Sequence, residues 1–161
     1  MKNIIFKFDA FAIDFLRKVS LPMARLALFT VFFWFGALKL FGTSPANPLV
    51  EKLLEHTLPS VTFAQFILFF GLFEMLIGIT FLIPRLERFA IAFLIPHMFT
   101  TLLSLIFLKS VTWQGFLAPT LEGQYIIKNL VIIALAIGIA ANLRPLETTA
   151  QKGGRRSLPE N

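Results

Sequence analysis

No cysteine occurs among the 161 residues, which excludes disulfide exchange, thiol redox relays, thiolate metal sites and palmitoylation. Charge is scarce as well. Only 15% of the residues are charged, against 57% hydrophobic residues, 20 phenylalanines and a mean hydropathy of +0.77, a balance that excludes an ordinary soluble domain and assigns most of the chain to lipid. Of the two histidines only His97 falls within a long apolar stretch, which argues against a bis-histidine haem path. The net charge of +6 sits at the chain ends and in one short connection rather than along a face, so nucleic acid is set aside as a partner in favour of the lipid bilayer.

A bilayer core about 30 Å thick needs roughly 20 apolar residues in a helix. Four windows meet that need: Leu21 to Phe41, Phe63 to Ile83, Phe89 to Leu108 and Tyr125 to Leu143. The fold class that follows is all-α, an integral membrane four-helix bundle over residues 21–143. Residues 1–20 form a basic N-terminal segment and residues 144–161, rich in Thr, Gly, Lys and Arg, read as a disordered tail. Pro84 to Arg88 is so short a connection that the second and third spans must form an antiparallel hairpin. Basic residues gather before the first span, in that turn and after the last span, whereas only Lys52 and Lys109 lie in the two longer loops. Both termini and the turn are therefore expected to be cytoplasmic, with Gly42 to Thr62 and Lys109 to Gln124 outside.

Asp9 and Asp14 interrupt any signal-peptide core near the start. Ile4, Phe8, Phe11, Phe15 and Val19 recur at helical spacing, which reads either as an amphipathic helix on the inner membrane surface or as a frayed basic tail. In the first outer loop Asn47 and Pro48 look like an N-cap and first-turn proline opening a short segment, Leu49 to Leu58, that caps the bundle mouth. Trp113 and Tyr125 are placed as interfacial anchors.

Each span also carries an ionisable residue: Arg25 and Lys39, Glu74, His97, and Lys128. A charge near mid-membrane costs about 3 kcal/mol on insertion scales, so such groups turn toward a bundle interior and find partners there. A hairpin turning at the Arg85 to Leu86 peptide puts Glu74 and His97 at the same height, where a carboxylate beside an imidazole forms an ion pair or a neutral pair sharing a proton. Gly71 and Gly78 flank Glu74 on one face and permit close approach of a neighbouring helix. On the third span His97, Thr100, Thr101 and Ser104 make a polar stripe, although the hydroxyls are equally suited to bonding their own helix. Arg25, Phe29, Phe32, Gly36 and Lys39 share a stripe on the first span, and Lys128 lies at about the height of Lys39. The expected cavity has a cationic outer rim of Lys39 and Lys128, a Glu74 and His97 midpoint and an aromatic floor; both lysines are equally placed to snorkel to headgroups.

Trp34, Gly36 and Lys39, read as W-x-G-x-x-K, precede G-x-x-E-x-x-x-G at Gly71, Glu74 and Gly78 and then Lys128-Asn129. In this order the motifs resemble the DoxX-like superfamily of small four-helix bacterial membrane proteins, in particular its YkgB-type branch, from about Arg25 to Asn142. The resemblance implies a multi-pass protein of the bacterial inner membrane, with Trp34, Gly36, Lys39, Glu74 and Lys128 as binding residues. Asn129 stands where relatives often carry an acidic residue. Some relatives are linked to quinone-dependent oxidation or oxidant resistance, so a quinone is the implied cofactor and membrane redox subunits the implied partners. No haem, flavin or metal is expected.

Two functions remain in view. One is a non-enzymatic binding or accessory subunit whose outward-open pocket, formed by Trp34, Gly36, Lys39, Glu74, His97, Lys128 and Asn129, holds a small anion, a quinone or a lipid headgroup. The other is the membrane subunit of a quinone-linked oxidoreductase or oxidant-resistance system, with Glu74 and His97 exchanging protons while a partner supplies electrons. A small solute transporter is a third option that four spans without a repeat make harder to picture. Monomer and homodimer are both compatible with the sequence.

Overall fold

A computed structural model describes residues 2–143 and 145, and most of this region is helical. The elements in chain order are α1 (Lys2–Leu40), α2 (Asn47–Thr57), α3 (Phe63–Leu82), α4 (Glu87–Phe107), α5 (Lys109–Thr112), β1 (Trp113–Gly115), β2 (Ala118–Pro119), α6 (Leu121–Ile127) and α7 (Asn129–Ala141). Four helices are long and apolar enough to cross a membrane: Ile4–Leu40, Phe63–Leu82, Glu87–Phe107 and Leu121–Ala141, the last combining α6 and α7. The core between them is Leu28, Phe32, Ile77, Phe81, Ala90, Leu94, Met98, Ala136 and Ile139. Large side chains on the outer faces, among them Phe69, Leu72, Phe99, Ile106 and Val131, are exposed, and a bundle this apolar on its outside is suited to lipid rather than water.

α1 is one unbroken helix through Pro22, where the sequence suggests a separate segment ending near residue 20. Pro22 leaves one carbonyl without its usual donor, that of Lys18, and both residues lie on exposed parts of the helix where that loss is cheapest. The stripe of Ile4, Phe8, Phe11 and Phe15 is exposed. The helix stops just after Lys39 because Gly42, at φ +70°, closes it: the Thr43 N–H bonds the Leu38 carbonyl at 3.0 Å and the Gly42 N–H that of Lys39 at 3.1 Å.

The hairpin of α3 and α4 turns through Pro84 and Arg85, with Arg85 at φ +76° and the Leu86 N–H bonding the Ile83 carbonyl. α2 packs against α3 and α4 and buries Leu54, so the segment forms as expected. Its cap differs: Ala46 is the N-cap, and Asn47 lies within the helix with a buried Oδ1 that has no partner. The Ser44 hydroxyl accepts from the Ala46 N–H at 3.3 Å, and no side chain caps the first turn. In the second long loop the chain forms a two-strand hairpin, and Trp113 donates its indole N–H to the Leu105 carbonyl at 3.1 Å. Thr120 then caps α6, its hydroxyl accepting from the Gly123 N–H at 3.1 Å. Lys128 keeps helical dihedrals between α6 and α7, and only the bonding pattern tightens there: the Val131 N–H reaches the Lys128 carbonyl. The expected tail at residues 144–161 lies, apart from Pro145, outside the described residues.

Glycines on both helices allow the close approach of α1 to α3. A Cβ built on Gly36 would meet the Gly71 carbonyl oxygen at 2.5 Å, and one on Gly71 would meet that of Gly36 at 2.9 Å. Two turns further along α3, a Cβ on Gly78 would sit 2.9 Å from the Phe33 backbone nitrogen. Backbone faces backbone at both levels, as small residues allow in apolar helix pairs. Gly36→Ala is therefore expected to destabilise the bundle by about 1–3 kcal/mol through overpacking, whereas Gly138→Ala should change stability little, since a Cβ there meets nothing within 4 Å. Unfolding by denaturing detergent, read by helix content, checks both.

Candidate functional site

Between the two glycine contacts α1 and α3 present one polar side chain each. α1 places Lys39 one turn beyond Gly36, and α3 places Glu74 between Gly71 and Gly78 on its buried face. A helical side chain leans toward the amino end of its own helix, so Lys39 runs back along α1 into the bundle. Its Nζ donates to Glu74 Oε2 at 2.5 Å, and the residue is 5% exposed. The other carboxylate oxygen, Oε1, lies 2.9 Å from His97 Nε2 on α4. Glu74 and His97 are 5% and 6% exposed, so three ionisable groups from three helices meet in the interior.

Aromatic rings enclose this cluster. Phe70 stacks on the His97 ring at 5.1 Å with 7° between planes, and Phe32 meets it edge-on at 5.2 Å. Phe73 lies 6.5 Å away at a tilt, and the Lys39 ammonium is 5.4 Å from the Phe70 ring centre. In such apolar surroundings the attraction between Lys39 and Glu74 is screened far less than in water, and each group would carry a large penalty without the other. Glu74 accepts from two donors, one per oxygen. With Glu74 ionised against Lys39, its Oε1 accepts and His97 Nε2 carries the hydrogen. His97 Nδ1 is buried and has no hydrogen-bond partner among the described residues.

The expected level pairing of Glu74 with His97 appears as direct contact. Lys39 occupies a different place from the expected outer rim: it turns inward, is buried, and its charge faces Glu74. Lys128 is exposed, with its ammonium 4.9 Å from the Tyr125 ring, and does not join the cluster. Asn129 is half-buried on α7 and Trp34 is 61% exposed on the outer face of α1, so neither contributes to it. Gly36 acts through its backbone, by letting α3 approach. Thr100 and Thr101 both donate to the His97 carbonyl, at 2.8 and 2.9 Å, which engages their hydroxyls with their own helix. Among the described residues no group of three His, Asp or Glu side chains is placed to hold a metal ion.

A second ion pair went unnoticed in the sequence. The Arg25 guanidinium bonds Glu87 Oε1 across α1 and α4, with the carboxylate side chain 6% exposed. Glu87 reads as one more charge of a short turn, yet it belongs to the first turn of α4, where a carboxylate is favoured by the helix dipole.

Glu74→Gln leaves Lys39 buried without a counter-charge and is expected to cost about 3–5 kcal/mol. The paired replacement Lys39→Met with Glu74→Leu removes both charges and should be more stable than either single change. A double-mutant cycle in detergent unfolding measures the coupling. Additive losses would mean that the two side chains do not interact.

No protein-family model, curated protein or solved structure matches this chain, so what the cluster does is read from its own geometry.

Proposed function

We propose that this chain is a DoxX-like multi-pass protein of the bacterial inner membrane, with both termini and the α3–α4 turn cytoplasmic. It acts as a binding or accessory subunit whose Lys39, Glu74 and His97 cluster receives the hydroxylated ring of a quinol-type headgroup. The observation that carries this reading is the partnerless Nδ1 of His97, buried beside the Phe32, Phe70 and Phe73 rings. With Nε2–H donating to Glu74, Nδ1 is an acceptor and calls for a donor. A phenolic O–H supplies one, and the flat ring that bears it suits aromatic walls. Of the ligand classes suggested by the sequence, a free anion is supported least. The Lys39 ammonium already faces a carboxylate, so the cluster offers no uncompensated positive charge.

In this reading the chain's own groups move a proton and nothing else. The ring hydroxyl donates to Nδ1, and Nε2–H, already directed at Glu74, passes the charge toward the carboxylate that Lys39 holds in place. Any electron transfer belongs to a partner subunit, since the chain has no cysteine and the bound ring needs an external acceptor.

The test is titration of the purified full-length protein in detergent with a short-chain hydroquinone and with its quinone, read by thermal stabilisation. Saturable binding with preference for the hydroquinone is expected. His97→Phe keeps an aromatic ring but removes Nδ1, and should weaken binding by about ten-fold or more, while Lys128→Gln should leave it unchanged. Undiminished binding in a folded His97→Phe variant would count decisively against the assignment.

A further inference from the structure

Lys39, Glu74 and His97 meet where three helices join, and His97 is only 6% exposed, so a ligand reaches its Nδ1 only if a neighbouring group moves. The α1–α3 seam is held backbone to backbone at Gly36, Gly71 and Gly78 and opens only by separating the two helices. Toward α4, α1 presents Phe32, which meets the imidazole edge-on, is 3% exposed and belongs to the apolar core. The α3–α4 seam is different. α3 packs far less extensively on α4 than on α1, and the two rings of α3 beside His97, Phe70 and Phe73, are only half-buried.

Those two rings are anchored unequally. Phe73 packs against the core and meets Phe93 of α4 edge-on, with ring centres 5.8 Å apart. Phe70 has no place in that core. One turn away on its own helix it stacks on Phe66 at 5.5 Å. Across the seam it lies on the His97 imidazole at 5.1 Å and 7°, with the Lys39 ammonium 5.4 Å from its centre. The opposite wall of the seam has some give as well. Pro96 directly precedes His97 and has no N–H to offer the Ala92 carbonyl, so α4 lacks a backbone bond at this turn.

We infer that Phe70 is the gate of the cluster: its ring swings off the imidazole face and admits a ligand through the α3–α4 seam to His97 Nδ1. Rotation about its side-chain torsions clears that face while the glycine contacts and both oxygens of Glu74 keep their partners. Such a gate governs how fast a ligand arrives. The identity of the ligand as a hydroquinone rests on the proposed function, whereas the opening at Phe70 does not.

Full-length protein in a neutral detergent is treated with diethyl pyrocarbonate, which acylates unprotonated imidazole nitrogens, and each histidine is followed by peptide mass spectrometry. His56, exposed on α2, serves as the internal standard. Labelling of a covered group follows its open fraction, so His97 is expected to react about ten-fold or more slowly than His56. Phe70→Ala should raise the His97 rate about ten-fold, Phe70→Leu by less, and Phe73→Ala by no more than about two-fold. Thermal unfolding shows that the variants are folded. In stopped-flow mixing with a short-chain hydroquinone, Phe70→Ala should speed association, whereas loss of a wall contact alone would speed only dissociation. Absence of hydroquinone binding together with the expected labelling would keep the gate and remove the hydroquinone. Unchanged His97 labelling in folded Phe70→Ala and Phe70→Leu, equal acceleration by Phe73→Ala, or hydroquinone binding with unchanged association overturns the proposal.

Discussion

The carboxylate of Glu74 is the constraint on which the bundle depends. It lies in the middle of an apolar helix, too far from either end to reach water, and isolated ionisation there is costly enough that the fold must bring it partners. Two things supply them. Gly36 and Gly71 let α1 come against α3, so that Lys39 can lie down onto Glu74 instead of extending outward. The short α3–α4 turn brings His97 level with the second oxygen. Substituting a larger residue at Gly36 would act on the ion pair as well as on packing, since it would push apart the helices that carry Lys39 and Glu74.

Arg25 repeats the same logic at the other end of the buried face of α1. It stands two heptads before Lys39, about 21 Å along the helix, and therefore on nearly the same side. Its carboxylate is on α4 rather than α3, so the two cations of α1 grip both arms of the hairpin. Within this geometry the N-terminal residues of α1 run on past the core with their apolar side chains exposed, and the α2 segment packs across the other end of the hairpin. The polar contacts are thus concentrated between α1 and the hairpin, while α7 joins the bundle through apolar groups such as Ala136 and Ile139.

Much of this was legible in the residues, and what was not has a physical reason. Window lengths and the five-residue connection sufficed for four long helices and for the equal height of Glu74 and His97, because a tight hairpin fixes relative height; that the two side chains touch depends on helix rotation, which the spacing leaves open. The direction of Lys39 depended on something subtler. A lysine near a helix end can reach outward or inward, and the inward choice follows from the amino-ward lean of helical side chains together with the small residue one turn below it. Both signals are in the sequence, at Gly36 and Gly71, but they decide the matter only once α3 is known to be the neighbour. Rotation of α6 and α7 had no such guide. Equal height did not bring Lys128 to Lys39, and the ring of Tyr125 is its neighbour instead. Glu87 was hidden by its place beside a turn, where a charged residue ordinarily signals solvent.

Buried ion pairs are poor evidence for stability, since well-packed apolar residues of similar size often do as well, but they are strong selectors of register. A slide of α1 by one turn, about 5.4 Å, would break Arg25 from Glu87 and Lys39 from Glu74 at once and strand four charges in apolar surroundings. No purely hydrophobic stripe of phenylalanines and leucines imposes such a penalty, because it packs passably in neighbouring registers. The same locking explains why His97 can keep an unbonded Nδ1 in a closed interior. Its other nitrogen is held by a carboxylate that cannot move without breaking the lysine contact, so the imidazole is fixed in orientation.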